Sequence, residues 1–252
     1  MPVVLVHGVP ETDAIWDPLA ERLSVDHGHD VVRLIPPGFG APVPTDFEPN
    51  RESYVSWLAG ELDSIGGDVD LVGHDWGAGH TLGLVTTRPE LVRSWAADVA
   101  GIMHPDYVWH DMAQLWRTPD VGEETIAGMM GASTDDKVVL FESLGMPPEI
   151  GRQVALANEE TMGRCILALY RSAGRDDLAP VWNALPDTAA TTPGLVIVPT
   201  ADPYVDADLS YEVADRAEAQ TAPLEGLGHW WMLEDPDQAA ATLDAFWSGL
   251  AD

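Results

Sequence analysis

The chain has 252 residues, with 12 Lys and Arg against 42 Asp and Glu, a formal net charge of −30, and 46% hydrophobic residues. That hydrophobic share specifies a packed core and excludes a disordered chain, and the length suits one large α/β domain or two small ones. The charge repels nucleic acid and anionic membranes, so neither is expected as a partner.

The N-terminal "MPVVLVHG" has no basic start, and its apolar run, Val3 to Val6, is too short for a secretory leader. As a β-branched run ending at Gly8, residues 3–8 read instead as a strand. A helix follows over 16–24, then a second strand over 30–38 closed by Pro-Pro-Gly. The Pro-rich stretch 36–49 is a loop. Residues 51–65 have helical spacing, with Tyr54, Leu58 and Leu62 on one stripe. Strands are expected at 69–73 and 92–101, with a helix between them over 78–89 stopped by Pro89. Residues 102–190 are helical, rich in Met and Trp, and hold no strand pattern. Two more strands are expected at 194–200 and 216–226, and a closing helix at 236–250. Apolar strands alternating with helices specify an α/β architecture: a mostly parallel sheet covered by helices on both faces. The expected organisation is a core of 1–101 and 191–252 with an inserted helical cap, 102–190. Cys165 is alone, which precludes an intrachain disulfide, and its apolar helical setting makes it a small buried hydrophobe. No apolar run approaches a membrane span, so a cytoplasmic protein is expected. The acidic surface is either ordinary solvation or an adaptation to high salt.

Three signals stand at three strand ends, where open α/β sheets place their sites. Gly73-His74-Asp75-Trp76-Gly77 has the G-x-nucleophile-x-G spacing of a sharp strand-to-helix elbow, with Asp75 where serine is usual. Asp202, in "PTADPY", follows an apolar strand, and His229 sits in a Gly-rich loop before the last helix. The chain order nucleophile, acid, histidine is the hydrolase order for this architecture. Asp202 would orient His229, which would act as general base on water. Asp98, at the end of the fourth strand, is the rival acid. The turn at His7-Gly8-Val9-Pro10 brings backbone amides beside the elbow, and the Val9 and Trp76 N–H groups would form an oxyanion hole. His7 is read as shaping that turn and His74 as bonding locally. His27 and His29 are loop residues, and no histidines have metal spacing, so no metal or cofactor is expected. Met129, Met130, Met146 and Met162 are read as packing.

These motifs resemble the α/β-hydrolase superfamily, in its epoxide hydrolase and haloalkane dehalogenase branch. His7-Gly8-Val9-Pro10 is similar to the HGxP motif of epoxide hydrolases, and Gly73 to Gly79 to their elbow. The resemblance spans the core and is weakest over 102–190. It implies the α/β-hydrolase fold and a small, neutral, apolar substrate consumed with water. A carboxylate nucleophile is already anionic at neutral pH and suits displacement at saturated carbon, leaving an alkyl ester that water must hydrolyse. The implied reaction is opening of an epoxide to a vicinal diol through an ester on Asp75. By the same resemblance Tyr170 in a Tyr-Arg helix, with Tyr107 as partner, would donate to the ring oxygen. Haloalkane dehalogenation is the alternative, with Trp76 and Trp109 cradling substrate or halide. Val9 stands where one dehalogenase group has Asn, and Trp76 where haloacid enzymes have Arg, which favours the epoxide. A non-catalytic ligand-binding protein of the same fold is the alternative from another class. A homodimer is compatible with this reading.

Overall fold

Short, mostly apolar runs form the strands β1 (Pro2–Val6), β2 (Asp30–Leu34), β3 (Val69–Gly73), β4 (Val92–Ala97) and β5 (Gly194–Pro199), and the more polar Gln220–Leu224 forms β6. The computed structural model describes residues 1–188 and 191–250. Among them the strands make one six-stranded sheet of order β2-β1-β3-β4-β5-β6. Every pairing is parallel. Alternation along each strand splits the core. Val4 and Val6 join one apolar cluster with Leu58, Leu62 and Leu82, while Val3 and Leu5 join another with Leu19, Leu23, Leu243 and Trp247. The first cluster lies under α2 (Arg51–Ile65) and α3 (Trp76–Val85), and the second under α1 (Asp17–Val25) and α12 (Pro236–Ser248). Both faces of the sheet are therefore covered.

The chain order reverses direction between β1 and β3, neighbours in register from Val3↔Asp70 to Val6↔Gly73. Such a switch point opens a crevice beyond the carboxyl ends of the strands. The turns after β1 and β3 both empty into it. Between β4 and β5 lie helices α4 (Asp111–Arg117), α5 (Val121–Gly131), α6 (Thr134–Ser143), α7 (Pro148–Ala157), α8 (Glu160–Arg171) and α9 (Arg175–Thr188). No strand interrupts them among the described residues. Met146, Met162 and Cys165 are buried, as packing residues should be, whereas Met129 reaches a cavity.

Several expected boundaries move: the strand expected over 30–38 ends at Leu34, and the elbow helix expected to run to Pro89 ends at Val85. Helix α10 (Ala207–Arg216), capped by the Asp206 carboxylate on Asp208 N–H, occupies a stretch where the spacing suggested no element. It takes Arg216 from the expected 216–226 strand, which begins only at Gln220. The strand expected to reach residue 101 ends at Ala97, because Asp98 turns inward to bond the elbow. Among the described residues, no helix is long and apolar enough to cross a membrane.

Candidate active site

Asp75 stands between β3 and α3 with φ 51° and ψ −119°, a conformation that side-chain-bearing residues avoid. Such backbone costs about 1–3 kcal/mol and persists only where the surroundings over-determine it. Here they do. His74 N–H donates to Val6 O (3.0 Å), Gly79 N–H to Asp75 O (3.1 Å) and Asp75 N–H to Asp98 Oδ1 (2.9 Å). The turn also packs too closely for larger residues. A Cβ on Gly77 would lie 2.1 Å from Val6 O, and one on Gly8 would lie 2.2 Å from Asp75 Oδ1. That closeness lets Val9 N–H donate to Asp75 Oδ1 at 2.8 Å. Trp76 N–H opens α3, where a helix leaves its first amides without intrahelical acceptors. One carboxylate oxygen of Asp75 thus accepts the Val9 N–H.

The His229 ring is held by Asp202, its Nδ1 2.7 Å from Oδ2. The other Asp202 oxygen accepts from Tyr204 N–H (2.7 Å) and Val205 N–H (3.2 Å), which fixes the carboxylate plane. Burial would raise the Asp202 pKa, but the His229 contact and these amides bring it below its ordinary value. For His229 burial opposes the charge, yet the Asp202 bond and the Asp202 and Asp75 charges together outweigh it and the pKa is raised. Asp75 is pushed up to about 6, chiefly by burial, with His229 pulling the other way. Asp98, the rival acid, does not contact His229.

Asp98 belongs instead to a buried network under the elbow. His74 Nδ1 bonds Asp98 Oδ2, and His74 Nε2 lies 3.2 Å from Glu11 Oε1. Glu11 also takes Gly8 N–H (3.2 Å) and the Trp230 indole N–H, and Asp98 takes the Trp231 indole N–H at 2.6 Å. Burial disfavours a charge on His74, but two flanking carboxylates raise its pKa well above the ordinary value, so the ring is an imidazolium. His74 therefore does more than bond locally. It ties the β1 turn, the elbow, β4 and the His229 loop together, with its ring 4.6 Å from that of His229. Glu11, His74 and His229 are the described residues whose metal-type donor atoms cluster, within 4.8 Å of one another. Both His74 nitrogens and His229 Nδ1 are already bonded, which leaves His229 Nε2 as the one free nitrogen and too few ligands for a metal.

The sequence model of the family described as "Alpha/beta hydrolase family" matches residues 3–242. The chain belongs to that family. A relative, the (E)-2-((N-methylformamido)methylene)succinate hydrolase of Acinetobacter baylyi, is 26% identical over 97% of this chain and 89% of its own length. Among solved structures, a loop variant of the haloalkane dehalogenase DbeA from Bradyrhizobium elkanii superposes with a TM-score of 0.75 at 21% identity, covering 100% of this chain and 91% of that one. A meta-cleavage product hydrolase from Pseudomonas fluorescens gives a TM-score of 0.76 at 18% identity, covering 98% and 90%. These structures share the fold.

In this hydrolase Asp75 and His229 open onto a cavity of about 630 Å³. Tyr170 lines it, 2% exposed, with its ring edge-on to Trp76 at 5.2 Å and to Trp116 at 4.9 Å. Burial lifts the Tyr170 hydroxyl well above the usual phenol range, and the Asp75 charge adds to it, so the proton stays on. Tyr107, Trp76 and Trp109 line a small adjoining pocket of about 20 Å³ that Asp75, Tyr170 and His229 share. Trp109 stacks on Trp76 at 5.7 Å, and the Tyr107 hydroxyl donates to Tyr204 O at 3.3 Å. The expected residues thus gather at one place. Glu11, Tyr204 and Lys137 are added by the structure. Glu11 had a sequence signal, since it directly follows the His-Gly-Val-Pro turn; Tyr204 and Lys137 had none beyond residue type.

Proposed function

We propose that this hydrolase opens a small epoxide to a vicinal diol in two steps through an ester on Asp75. The observation that carries this reading is a carboxylate at the elbow with Oδ1 on the Val9 amide. In the first step Asp75 Oδ2 attacks a ring carbon. The carbon–oxygen bond breaks and the leaving oxygen takes a proton from Tyr170; Tyr107 assists by turning its hydroxyl from Tyr204 O to the ring oxygen. In the second step His229 Nε2 removes a proton from water, Asp202 holds the resulting imidazolium, and the hydroxide adds to the ester carbonyl. Negative charge collects on Asp75 Oδ1, where the Val9 and Trp76 amides stabilise it. Collapse expels the diol oxygen, which takes the proton from His229, and the proton left on the Asp75 carboxyl returns through water to the Tyr170 phenolate, which resets both groups. The helices of 102–190 act as a cap that closes this chemistry away from bulk water.

The Acinetobacter baylyi relative is named for hydrolysis of a substituted succinate. Attack by Asp75 on such a carbonyl would give an anhydride, which reverts, so the carboxylate favours saturated carbon here. Haloalkane dehalogenation shares the Asp75 step and is the second reading. Its support is the buried Trp116 indole N–H beside the cavity, which has no partner among the described residues and would suit a halide. Oxygen tracing tests the shared step. In a single turnover in heavy-oxygen water, the product should carry ordinary oxygen from Asp75, and the label should appear in the Asp75 peptide. Label in the product with none in the protein would mean direct attack by water and would remove the ester.

A further inference from the structure

Lys137 is the single lysine of a chain with 42 acidic residues. It lies on α6, only 7% exposed, and lines the same cavity as Asp75 and His229. Its ammonium donates to Met130 O (2.9 Å) and to Asn158 O, carbonyls at the ends of α5 and α7. Both acceptors are neutral. No carboxylate of the described residues forms an ion pair with it. The acids beside it in the chain are engaged elsewhere: Asp135 pairs with Arg152 at 3.0 Å, and Asp136 accepts the Ser133 hydroxyl at 2.7 Å. A buried charge without a counter-ion is expensive, and proteins retain one where a ligand or partner neutralises it. One of the three ammonium hydrogens remains unspent.

The cavity that holds both Lys137 and Asp75 is lined mainly by apolar residues, Met129, Trp116 and Phe141 among them, with His110 and the acidic Asp111 also on its wall. Met112, Leu140 and Leu144 line the cavity while 42%, 47% and 48% exposed, so it opens to solvent beside α6. We propose that Lys137 recognises a carboxylate on the substrate, at the end remote from the reacting carbon. The substrate class is then an apolar chain or ring with the electrophilic carbon at one end and a carboxylate at the other. A surface of net charge −30 repels such an anion at long range, so a local unpaired cation is what makes its capture favourable. A carboxylate-bearing substrate departs from the neutral one expected from the sequence. The orientation of the substrate rests on the Asp75 reading; the anion contact does not.

Binding of octanoate against 1-octanol tests it on the intact protein, by calorimetry and without turnover. Octanoate should bind at least tenfold more tightly than the alcohol of the same length. Lys137→Met should remove that preference, weakening octanoate by tenfold or more and leaving octanol unchanged, and Lys137→Arg should restore most of it. A wild-type measurement guards against a variant that does not fold. Lysine labelled at Nζ gives one side-chain resonance in this chain, and it should move on saturation with octanoate and stay put with octanol. Octanoate binding no tighter than octanol to the wild type, or a lysine resonance unmoved at saturation, would overturn the proposal. Neither outcome depends on ester formation, and absence of an ester on Asp75 would leave the binding results intact.

Discussion

Asp75 is held in a conformation and a protonation balance that favour chemistry over stability. Ester formation needs its anion, so the first step should fall away as pH drops through about 6, where burial has pushed this carboxyl. Ester hydrolysis needs neutral His229, whose pKa is raised above 6.5, so the second step should be lost at a higher pH than the first. Between those two values the ester should accumulate, which rapid-quench mass spectrometry across pH would show; coincident losses would contradict the assignment. The same shift predicts a stability effect. The folded state holds the Asp75 proton more tightly than the unfolded chain, so its stabilising contribution is present at low pH and lost as pH rises through about 6. Asp75→Asn should therefore be inactive yet more stable at neutral pH by about 1–3 kcal/mol, with the gain vanishing in acid, as thermal melts can check. Gly8→Ala should lose about 100-fold in turnover while staying folded, because its methyl would displace Oδ1 from the Val9 amide. At this scale Asp75, Asp202 and His229 were legible because each sits at a strand end with flanking glycine or proline. Lys137 was not, because a composition count gives a residue's rarity and not its position in a cavity.

The elements owe their arrangement to ties that are remote in sequence. Glu11, His74 and Asp98 follow β1, β3 and β4, and together they fix the ends of these strands relative to one another. His74→Leu would leave two buried carboxylates with no cation between them, a loss of about 3–5 kcal/mol. The deficit should shrink in acid as those carboxylates take up protons, so urea midpoints of variant and wild type should converge at low pH. A deficit independent of pH would mean that His74 serves by shape alone. The spans of α2 and β3 were readable to the residue because Asn50 and Gly66 bound α2, and β3 is a short buried run bounded by Asp68 and Gly73. Helix α10 was missed because its apolar positions are few: Ser210, Val213 and Ala214 are its buried residues. The last strand looked longer than it is because it lies at the sheet edge, where Pro223 is tolerated and the alternation is weak.

The whole molecule carries its net charge of −30 on a fold whose buried charges are few: the network beneath the elbow, Asp70, Arg51 and Lys137 among them. Mutual repulsion among surface carboxylates opposes compactness, and salt screens it. The unfolding temperature should rise steadily from low to molar salt; a flat response would show that the acidic surface is simply solvated. The fold class was legible from the alternation of strands and helices alone. The proposed reaction rests on the elbow, because family membership fixes a scaffold on which many leaving groups are handled. The most direct test uses His229→Gln, which keeps the nucleophile and removes the base. Incubated with a simple epoxide and examined by intact mass, it should gain the mass of the whole epoxide, located on the peptide containing Asp75. No adduct from epoxides or bromoalkanes, with wild-type turnover intact, would contradict an Asp75 ester.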